Sequence, residues 1–199
     1  MIVIGLTGSL ATGKSTVAAI FRKKGAVVLD ADKTAHRLIA PGGNCTKAVI
    51  RRFGNRILRN GTIDRRKLGG IVFNDERALK KLMRIIHPAV EKEFRKEISA
   101  YRKGGKVKVV VMDVPLLFES GLDRLADVTV TVASSQRDQI IRAKRKFKIT
   151  REQALKRIKN QMPLRRKILL SDIIIDNRGS LKDLKKKADA VWNRLIKRN

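Results

Sequence analysis

The chain has 199 residues, enough for one well-packed core that carries one or two small inserted lobes. Its single cysteine, Cys45, excludes an internal disulfide and a thiolate metal cluster, and no apolar run is long enough to cross a bilayer. Lysine and arginine total 47 against 18 acidic residues, and the resulting net charge of +29 attracts polyanions such as nucleic acids and phosphorylated small molecules.

The first predicted element is a buried parallel strand over residues 2–6. Met1 leads directly into it, so we expect no leader sequence and a cytoplasmic location. The strand runs into the pattern Gly8-x-x-x-x-Gly13-Lys14-Ser15, and an amphipathic helix follows at once. This order of strand, glycine-rich loop and helix is the context that a phosphate-binding P-loop requires, so we predict that the chain binds a nucleoside triphosphate.

The residue types of this loop suit phosphate chemistry. Gly8 and Gly13 allow the backbone to wrap a phosphate with its N–H groups inward, and the helix that begins near Gly13 favours an anion at its N-terminus. Lys14 is expected to reach the β- and γ-phosphates, and the Ser15 hydroxyl to ligate Mg²⁺. Thr16 lies in the first helical turn, where its backbone N–H can join the cradle.

A second strand over residues 26–32 is predicted to end on Asp30 and Asp32. Alternation along a strand places both carboxylates on one side, near the P-loop at the carboxyl edge of a parallel sheet. Asp32 is our candidate general base, because a carboxylate can accept the proton of an alcohol that receives phosphate. The alternative is that Asp32 only caps a helix over residues 33–40, and the two roles are compatible.

Residues 41–104 are predicted to form a mainly helical insertion that binds the phosphate acceptor. A turn at residues 41–44 opens it, and a basic, loop-rich stretch follows. Two helices are expected, over residues 75–86 and 88–101, with Pro88 in the first turn of the second. His87 lies between them and either touches the substrate or is a hydrogen-bonded histidine at a helix junction.

The remaining strands return to the core. Residues 107–112 predict a central strand that ends on Asp113, where P-loop enzymes often carry an acid beside Mg²⁺; a turn or cap acid is the alternative. Further strands are expected over residues 127–133 and 173–175, and an amphipathic helix over 181–195 closes the chain.

The segment of residues 137–167, called the lid segment below, is the most basic part of the chain. It carries 13 lysines and arginines against two acidic residues. In a phosphotransferase, such a helical hairpin can close over ATP and supply arginines to the transferring phosphate. In a nucleic-acid binder it would be the binding surface, and otherwise it is a solvated pair of helices.

Several motifs together resemble the dephospho-coenzyme A kinase family over essentially the whole chain. They are the P-loop, Asp30-Ala-Asp32, His87-Pro88, Asp113-Val-Pro115-Leu-Leu-Phe118-Glu119-Ser-Gly121, Arg157-Ile158, Gln161-Met162-Pro163, Lys167, and Asp172 with Asn177-Arg-Gly179-Ser180. A P-loop by itself fits many functions, whereas this order and spacing of motifs is far more specific.

The resemblance implies an α/β fold: a three-layer P-loop kinase core with a five-stranded parallel sheet, plus a helical acceptor-binding insertion and a helical lid. The core would comprise residues 1–40, 105–136 and 168–199. The implied reaction is the last step of coenzyme A synthesis, in which ATP with Mg²⁺ phosphorylates the ribose 3′-hydroxyl of dephospho-coenzyme A.

The resemblance also implies the site residues, by matching positions. ATP would be bound by Gly8, Ala11, Thr12, Gly13, Lys14, Ser15, Thr16 and Asn177, with Asn177 near the adenine and Ser15 on the metal. Asp32, Lys14 and Arg142 would be catalytic, with Arg142 as the lid arginine on the phosphates, and Asp32, His87, Asp113, Pro115 and Leu116 would bind the substrate.

This sequence departs from the family pattern at a few positions. Ser9 and Ala11 stand where many members carry glycine, and both are small enough for the loop to form. The second lid arginine is replaced by Lys146, with Arg145 beside it, so either residue can be the second lid cation.

Three other functions stay open from the residues. They are another small-molecule P-loop kinase, an RNA-binding protein in which ATP is ancillary, and a degenerate kinase that serves as a scaffold. With only 4% aromatic residues, few side chains can stack on unpaired bases, so a nucleic-acid partner is possible but not favoured. We expect a small-molecule substrate, no membrane partner, and a monomer or weak oligomer.

Overall fold

The computed structural model describes residues 1–197 and contains a central sheet of five parallel strands. The strands are β1 (Ile2–Gly8), β2 (Val27–Asp30), β3 (Leu58–Arg59), β4 (Thr62–Ile63), β5 (Val109–Asp113), β6 (Val128–Ala133) and β7 (Ile173–Asp176). The sheet order is β2-β5-β1-β6-β7, while β3 and β4 form a separate antiparallel hairpin. The predicted α/β fold with five parallel strands is confirmed.

The described residues contain nine α-helices. They are α1 (Lys14–Lys23), α2 (Ala31–Ile39), α3 (Thr46–Phe53), α4 (Arg65–Val72), α5 (Glu76–Gly104), α6 (Gln136–Phe147), α7 (Arg151–Lys159), α8 (Leu164–Leu170) and α9 (Leu181–Ile196). None of the helices in residues 1–197 is both long enough and apolar enough to span a membrane.

The chain divides into two compact units. The first, called the P-loop unit, comprises Met1–Asp30 and the chain from Ile98 onward, and the second, called the inserted unit, comprises Ala31–Glu97. The division into core, acceptor-binding insertion and lid that the sequence suggested remains a prediction.

The core of the P-loop unit lies between the sheet and two helices. Alternate residues of β1 (Ile2, Ile4 and Leu6) are buried together with apolar residues of α1 and α9. Phe21 of α1 meets Trp192 of α9 with ring centroids 5.5 Å apart. A Ser180–Asp183 capping box begins α9, so a local signal starts the helix where the core needs its apolar face. This packing fixes the base of the loop that follows β1.

Three predicted elements differ from the structure. The helices expected over 75–86 and 88–101 are one continuous helix, α5, with Pro88 inside it. Proline removes one N–H donor and crowds the preceding turn, and burial of the apolar face on both sides (Leu82, Ile86, Val90 and Phe94) offsets that cost. The loop-rich stretch contains two helices, α3 and α4, and the lid segment contains α6, α7 and most of α8 rather than a simple hairpin.

The prediction that Asp32 ends a strand is also wrong. Strand β2 stops at Asp30, and Asp32 lies in the first turn of α2, so strand alternation does not set the direction of its side chain. An acidic residue in this position interacts favourably with the positive end of the helix dipole.

Candidate active site

The loop between β1 and α1 has the backbone shape of a phosphate cradle. A side chain at Gly8 would lie within 2.7 Å of the Val132 carbonyl oxygen, so only glycine fits there. Gly13 has a φ of +102° and lies against the amide of Asn177, so it also has no room for a Cβ. Ala11 adopts a left-handed φ of +54°, which is uncommon for a residue with a Cβ and marks local strain.

Buried hydrogen bonds hold the middle of this loop. The Thr12 hydroxyl donates to the Ser9 carbonyl at 3.1 Å, and the amide nitrogen of Asn177 donates to the Thr12 carbonyl at 2.8 Å. All three side chains are almost fully buried. Asn177, which the family resemblance places near the adenine, therefore supports the P-loop backbone directly.

Lys14 and Asp113 form an ion pair in the P-loop unit. Asp113 ends β5, which lies beside β1 with Leu6 and Asp113 in register, so the topology brings the acid to the start of the P-loop. The side chains are only 14% and 10% exposed. A pair this well shielded from water interacts more strongly than a surface pair.

Ser15 is exposed in the first turn of α1, and a lid cation contacts it. The Lys146 ammonium of α6 donates to the Ser15 hydroxyl oxygen at 3.3 Å, and it also lies 5.4 Å from the centre of the Phe147 ring. The structure thus brings Lys146 to the P-loop. The Thr16 N–H, expected in the cradle, donates to the Gly13 carbonyl at 3.0 Å and closes the first helical turn.

Arg142 of α6 is anchored at the carboxyl ends of β6 and β7. Its guanidinium donates to the Ser134 hydroxyl and to the Asn177 carbonyl, each at 3.1 Å. The same Asn177 holds the P-loop through its side chain, so Arg142 and the loop share one support. Ser134 was not among the sequence-predicted residues, and its short polar side chain at the end of an apolar strand was the available signal.

A second buried cation, Lys167, was not assigned a role by the sequence. Its side chain is fully buried, and its ammonium donates to the Pro115 carbonyl at 2.5 Å and to the Glu119 carboxylate at 2.8 Å. Burial lowers the pKa of Lys167, although the hydrogen bond and charge of Glu119 oppose that shift. Leu164, Lys167 and Ile168 share one helical face, a spacing that would have indicated burial.

Leu116 lies half-buried in the same segment as Pro115, after β5. In the inserted unit, Asp32 is exposed in α2 and His87 is half-buried within α5. This unit contains an open cavity of about 190 Å³ lined by Thr34, Arg37, Leu38, Gly42, Gly43, Asn44 and Glu93. The cavity is lined by charges of both signs, and neither Asp32 nor His87 lines it.

The residues in the P-loop unit fit a magnesium–nucleotide complex. No group of three or more histidine, cysteine, aspartate or glutamate side chains within residues 1–197 could by itself hold a metal ion. Mg²⁺ commonly takes only one or two protein ligands and completes its shell with phosphate oxygens and water. The Ser15 hydroxyl and the Asp113 carboxylate are oxygen ligands of that kind.

The chain is similar to known proteins over nearly its whole length. The model of the dephospho-CoA kinase family matches residues 2–183. The dephospho-CoA kinase of Lactobacillus johnsonii is 43% identical over 185 residues, which cover 92% of this chain and 93% of the relative. That of Geobacillus kaustophilus is 41% identical over 198 residues and 98% of each chain.

Solved structures show the same fold. The protein TT1252 from Thermus thermophilus is 35% identical, with a TM-score of 0.80 over 98% of this chain and 97% of that one. The dephospho-CoA kinase of Campylobacter jejuni is 27% identical, with a TM-score of 0.71 over the same shares of the two chains. A shikimate kinase from Acinetobacter baumannii, 14% identical, covers 100% of this chain and 95% of its own with a TM-score of 0.57, and shares the fold alone.

Proposed function

Because this chain belongs to the dephospho-CoA kinase family, we propose that it transfers the γ-phosphoryl group of ATP to the ribose 3′-hydroxyl of dephospho-CoA. The products are CoA and ADP, and the reaction completes coenzyme A biosynthesis. The observation that carries the proposal is the family match over residues 2–183. In the same chain the P-loop lysine, Lys14, is paired with Asp113 at the end of the neighbouring strand β5.

The P-loop is the proposed donor site. Backbone N–H groups of the loop between Gly8 and Ser15 surround the phosphates, and the N-terminus of α1 adds its partial positive charge. Lys14 leaves Asp113 when nucleotide binds and neutralises the charge on the β- and γ-phosphates. In the absence of nucleotide, Asp113 keeps the lysine near its working position and balances its charge.

Ser15 is the proposed protein ligand of Mg²⁺, with Asp113 as the acid beside it. When bound, Mg²⁺ supplies positive charge that offsets the charge of the phosphate oxygens. Freeing the Ser15 hydroxyl from Lys146 is then part of nucleotide binding, because both cations compete for the same oxygen.

Asp32 is the proposed general base. In phosphoryl transfer the acceptor O–H bond breaks as the new P–O bond forms, and a carboxylate at the acceptor oxygen takes that proton. Asp32 is exposed just after the end of β2, and the family resemblance assigns it this role. His87, Pro115 and Leu116 are proposed to contact the dephospho-CoA.

Arg142 and Lys146 are the proposed lid cations. Arg142 holds the segment that supports the P-loop, and its guanidinium is proposed to pass from Asn177 to the nucleotide. Lys146 is the second lid cation rather than Arg145, since the Lys146 ammonium is the group that contacts Ser15. A lysine offers a point charge instead of the bidentate fork of arginine.

The other parts of the proposal concern the protein's setting. We expect a cytoplasmic monomer or weak oligomer whose substrates are ATP and dephospho-CoA, and we do not favour a nucleic-acid partner for the basic surface. The inserted unit is proposed to bind the acceptor, and its cavity carries Arg37 and Glu93 as candidate polar contacts.

An assay of ADP release with Mg²⁺-ATP tests the substrate and the base together. Dephospho-CoA should support turnover and a panel of nucleosides should not. Asp32→Asn should lower kcat by about a hundredfold or more, because it removes the proton acceptor while keeping the side-chain shape. A wild-type enzyme that ignored dephospho-CoA but phosphorylated a nucleoside would overturn the proposed substrate.

The matched control is Asp64→Asn in the same unit. Asp64 caps α4 by accepting from the Arg66 and Lys67 N–H groups, and asparagine is an equally good cap. Its kcat should stay close to that of the wild type, which separates loss of the base from loss of a negative charge. Equal activity of the Asp32 and Asp64 variants would remove Asp32 as the base.

A further inference from the structure

Lys167 is a charged residue in a place where an apolar one would suffice for packing. Its neighbours Arg165 and Arg166 on α8 are exposed, whereas the Lys167 side chain has no exposed surface. Moving an ammonium from water into a protein interior is strongly unfavourable before any partner is counted. Apolar residues of similar volume often stabilise a fold as well as a buried charged residue does, or better. Packing alone therefore does not explain why a lysine occupies this position.

The contacts of Lys167 connect two segments of the P-loop unit. Its ammonium donates to the Pro115 carbonyl, in the segment directly after β5, and to the Glu119 carboxylate at 2.8 Å. Glu119 also accepts from the Met162 N–H at 2.8 Å, in the turn between α7 and α8. One carboxylate is thus shared between the buried cation and the turn near the end of the lid segment.

The Pro115 carbonyl is also tied to the P-loop strand. The Thr7 hydroxyl of β1 donates to that same oxygen at 3.2 Å, and the Val114 N–H donates to the Leu6 carbonyl at 2.9 Å. Two residues earlier stands Asp113, the partner of Lys14. Any shift of the Pro115 carbonyl is therefore transmitted over a very short path to the carboxylate that faces the P-loop lysine.

We propose that Lys167 is a positioning residue for phosphoryl transfer, which holds the segment after β5 so that Asp113 faces Lys14 and which ties that segment to the base of the lid. The inference rests on the proposed kinase function. It does not place Lys167 in contact with either substrate, because the side chain is fully buried. Burial also lowers the pKa of Lys167, and the hydrogen bond and charge of Glu119 oppose that shift.

The test compares Lys167→Met with Arg166→Met by steady-state kinetics with Mg²⁺-ATP and dephospho-CoA. Both remove one cation from α8, but only Lys167→Met removes the buried contacts. We expect Lys167→Met to lower kcat by about tenfold to a hundredfold, since small displacements of reacting groups have effects of this size. The KM for ATP should change by less than about threefold, because the loop amides and Lys14 remain. Arg166→Met should match the wild type.

A second pair of variants keeps the test decisive if Lys167→Met folds poorly. Glu119→Gln preserves size and an acceptor oxygen but removes the negative charge, and it should lower kcat in the same direction by a smaller factor. In Glu119→Gln/Lys167→Met the two effects should combine to less than their product, as expected for residues that act through one contact.

Specific results overturn the inference. If the variants of Lys167 and Glu119 keep the wild-type kcat, Lys167 is only a packing residue. The same conclusion follows if their kcat falls only in proportion to the folded fraction measured by thermal unfolding. If the wild type itself does not phosphorylate dephospho-CoA, the proposed function fails first. An active wild type with unaffected variants rejects the positioning role alone.

Discussion

The P-loop and the lid segment both supply cations to the proposed nucleotide site, but the protein holds them differently. Lys14 is 14% exposed, is paired with Asp113, and follows a loop whose carbonyl at Thr12 is held by the buried Asn177. In the lid segment, Lys144, Arg145 and Lys146 are exposed in the last turns of α6. The bond from Lys146 to Ser15 is long and open to water.

This difference separates two contributions to catalysis. A preorganised cation on a rigid strand-loop-helix unit stabilises the transition state without further rearrangement, so its loss should lower kcat and the apparent affinity together. An exposed cation at the end of a helix must first be ordered by the nucleotide, and much of its gain is offset by side-chain entropy. The following changes test that distinction, starting with the largest expected effect.

Lys14→Met should cause the greatest loss. It removes the charge that faces the β- and γ-phosphates, and we expect kcat/KM for ATP to fall by about a thousandfold or more. Steady-state kinetics measure the change, and Lys23→Met at the exposed end of the same helix is the control. If the loss in kcat/KM is no greater than that of the control, Lys14 is not the preorganised cation of the nucleotide site.

Lys146→Met should raise the KM for ATP by about threefold to tenfold with a smaller effect on kcat, because the lysine is exposed and not preorganised. Arg145→Met, the neighbouring variant with the same loss of charge, should change neither value by more than about twofold. The two variants are compared in one ATP titration. If Arg145→Met has the larger effect, Arg145 rather than Lys146 is the second lid cation.

The smallest effect concerns Asp172, which lies between α8 and β7, after the lid segment. Asp172 accepts hydrogen bonds from the Thr129 hydroxyl at 2.7 Å and from the Thr129 N–H at 2.8 Å, and these bonds lower its pKa from the ordinary value of 3.8. Asp172→Asn should lower the free energy of unfolding by about 1 kcal/mol at neutral pH, since one charge-assisted acceptor becomes neutral.

The pH dependence of that difference has a definite sign. The folded protein keeps Asp172 charged where the unfolded chain already binds a proton, so the stabilisation is present above the unfolded pKa of 3.8. It is lost as the pH falls through the lower pKa of the folded state. Urea unfolding of the wild type and variant should therefore show a constant gap above about pH 5 that narrows in acid. A gap that widened in acid would contradict the assignment.

Local patterns predicted the P-loop unit well, and they failed where distant contacts decide. The run of residues 2–16 is correct because a buried strand, two required glycines and a helix start are all encoded next to one another. The break predicted at Pro88 did not occur, since the apolar face of α5 continues through it. The sequence singled out Lys167 only as a residue of the family motifs, and its burial was not predicted because its partner Glu119 lies far from it in the chain.

The sequence by itself determined the alternation of strands and helices and the phosphate loop, because those depend on hydrophobic periodicity and on residues adjacent in the chain. The family followed from the resemblance of motifs that are spread along the whole chain. Only the tertiary structure decided that Asp113 pairs with Lys14, that Asn177 supports Thr12, and that Lys146 rather than Arg145 contacts Ser15. Each of these contacts joins residues far apart in sequence through strand order or helix packing. The direction of a long side chain depends on that packing, which no local pattern specifies.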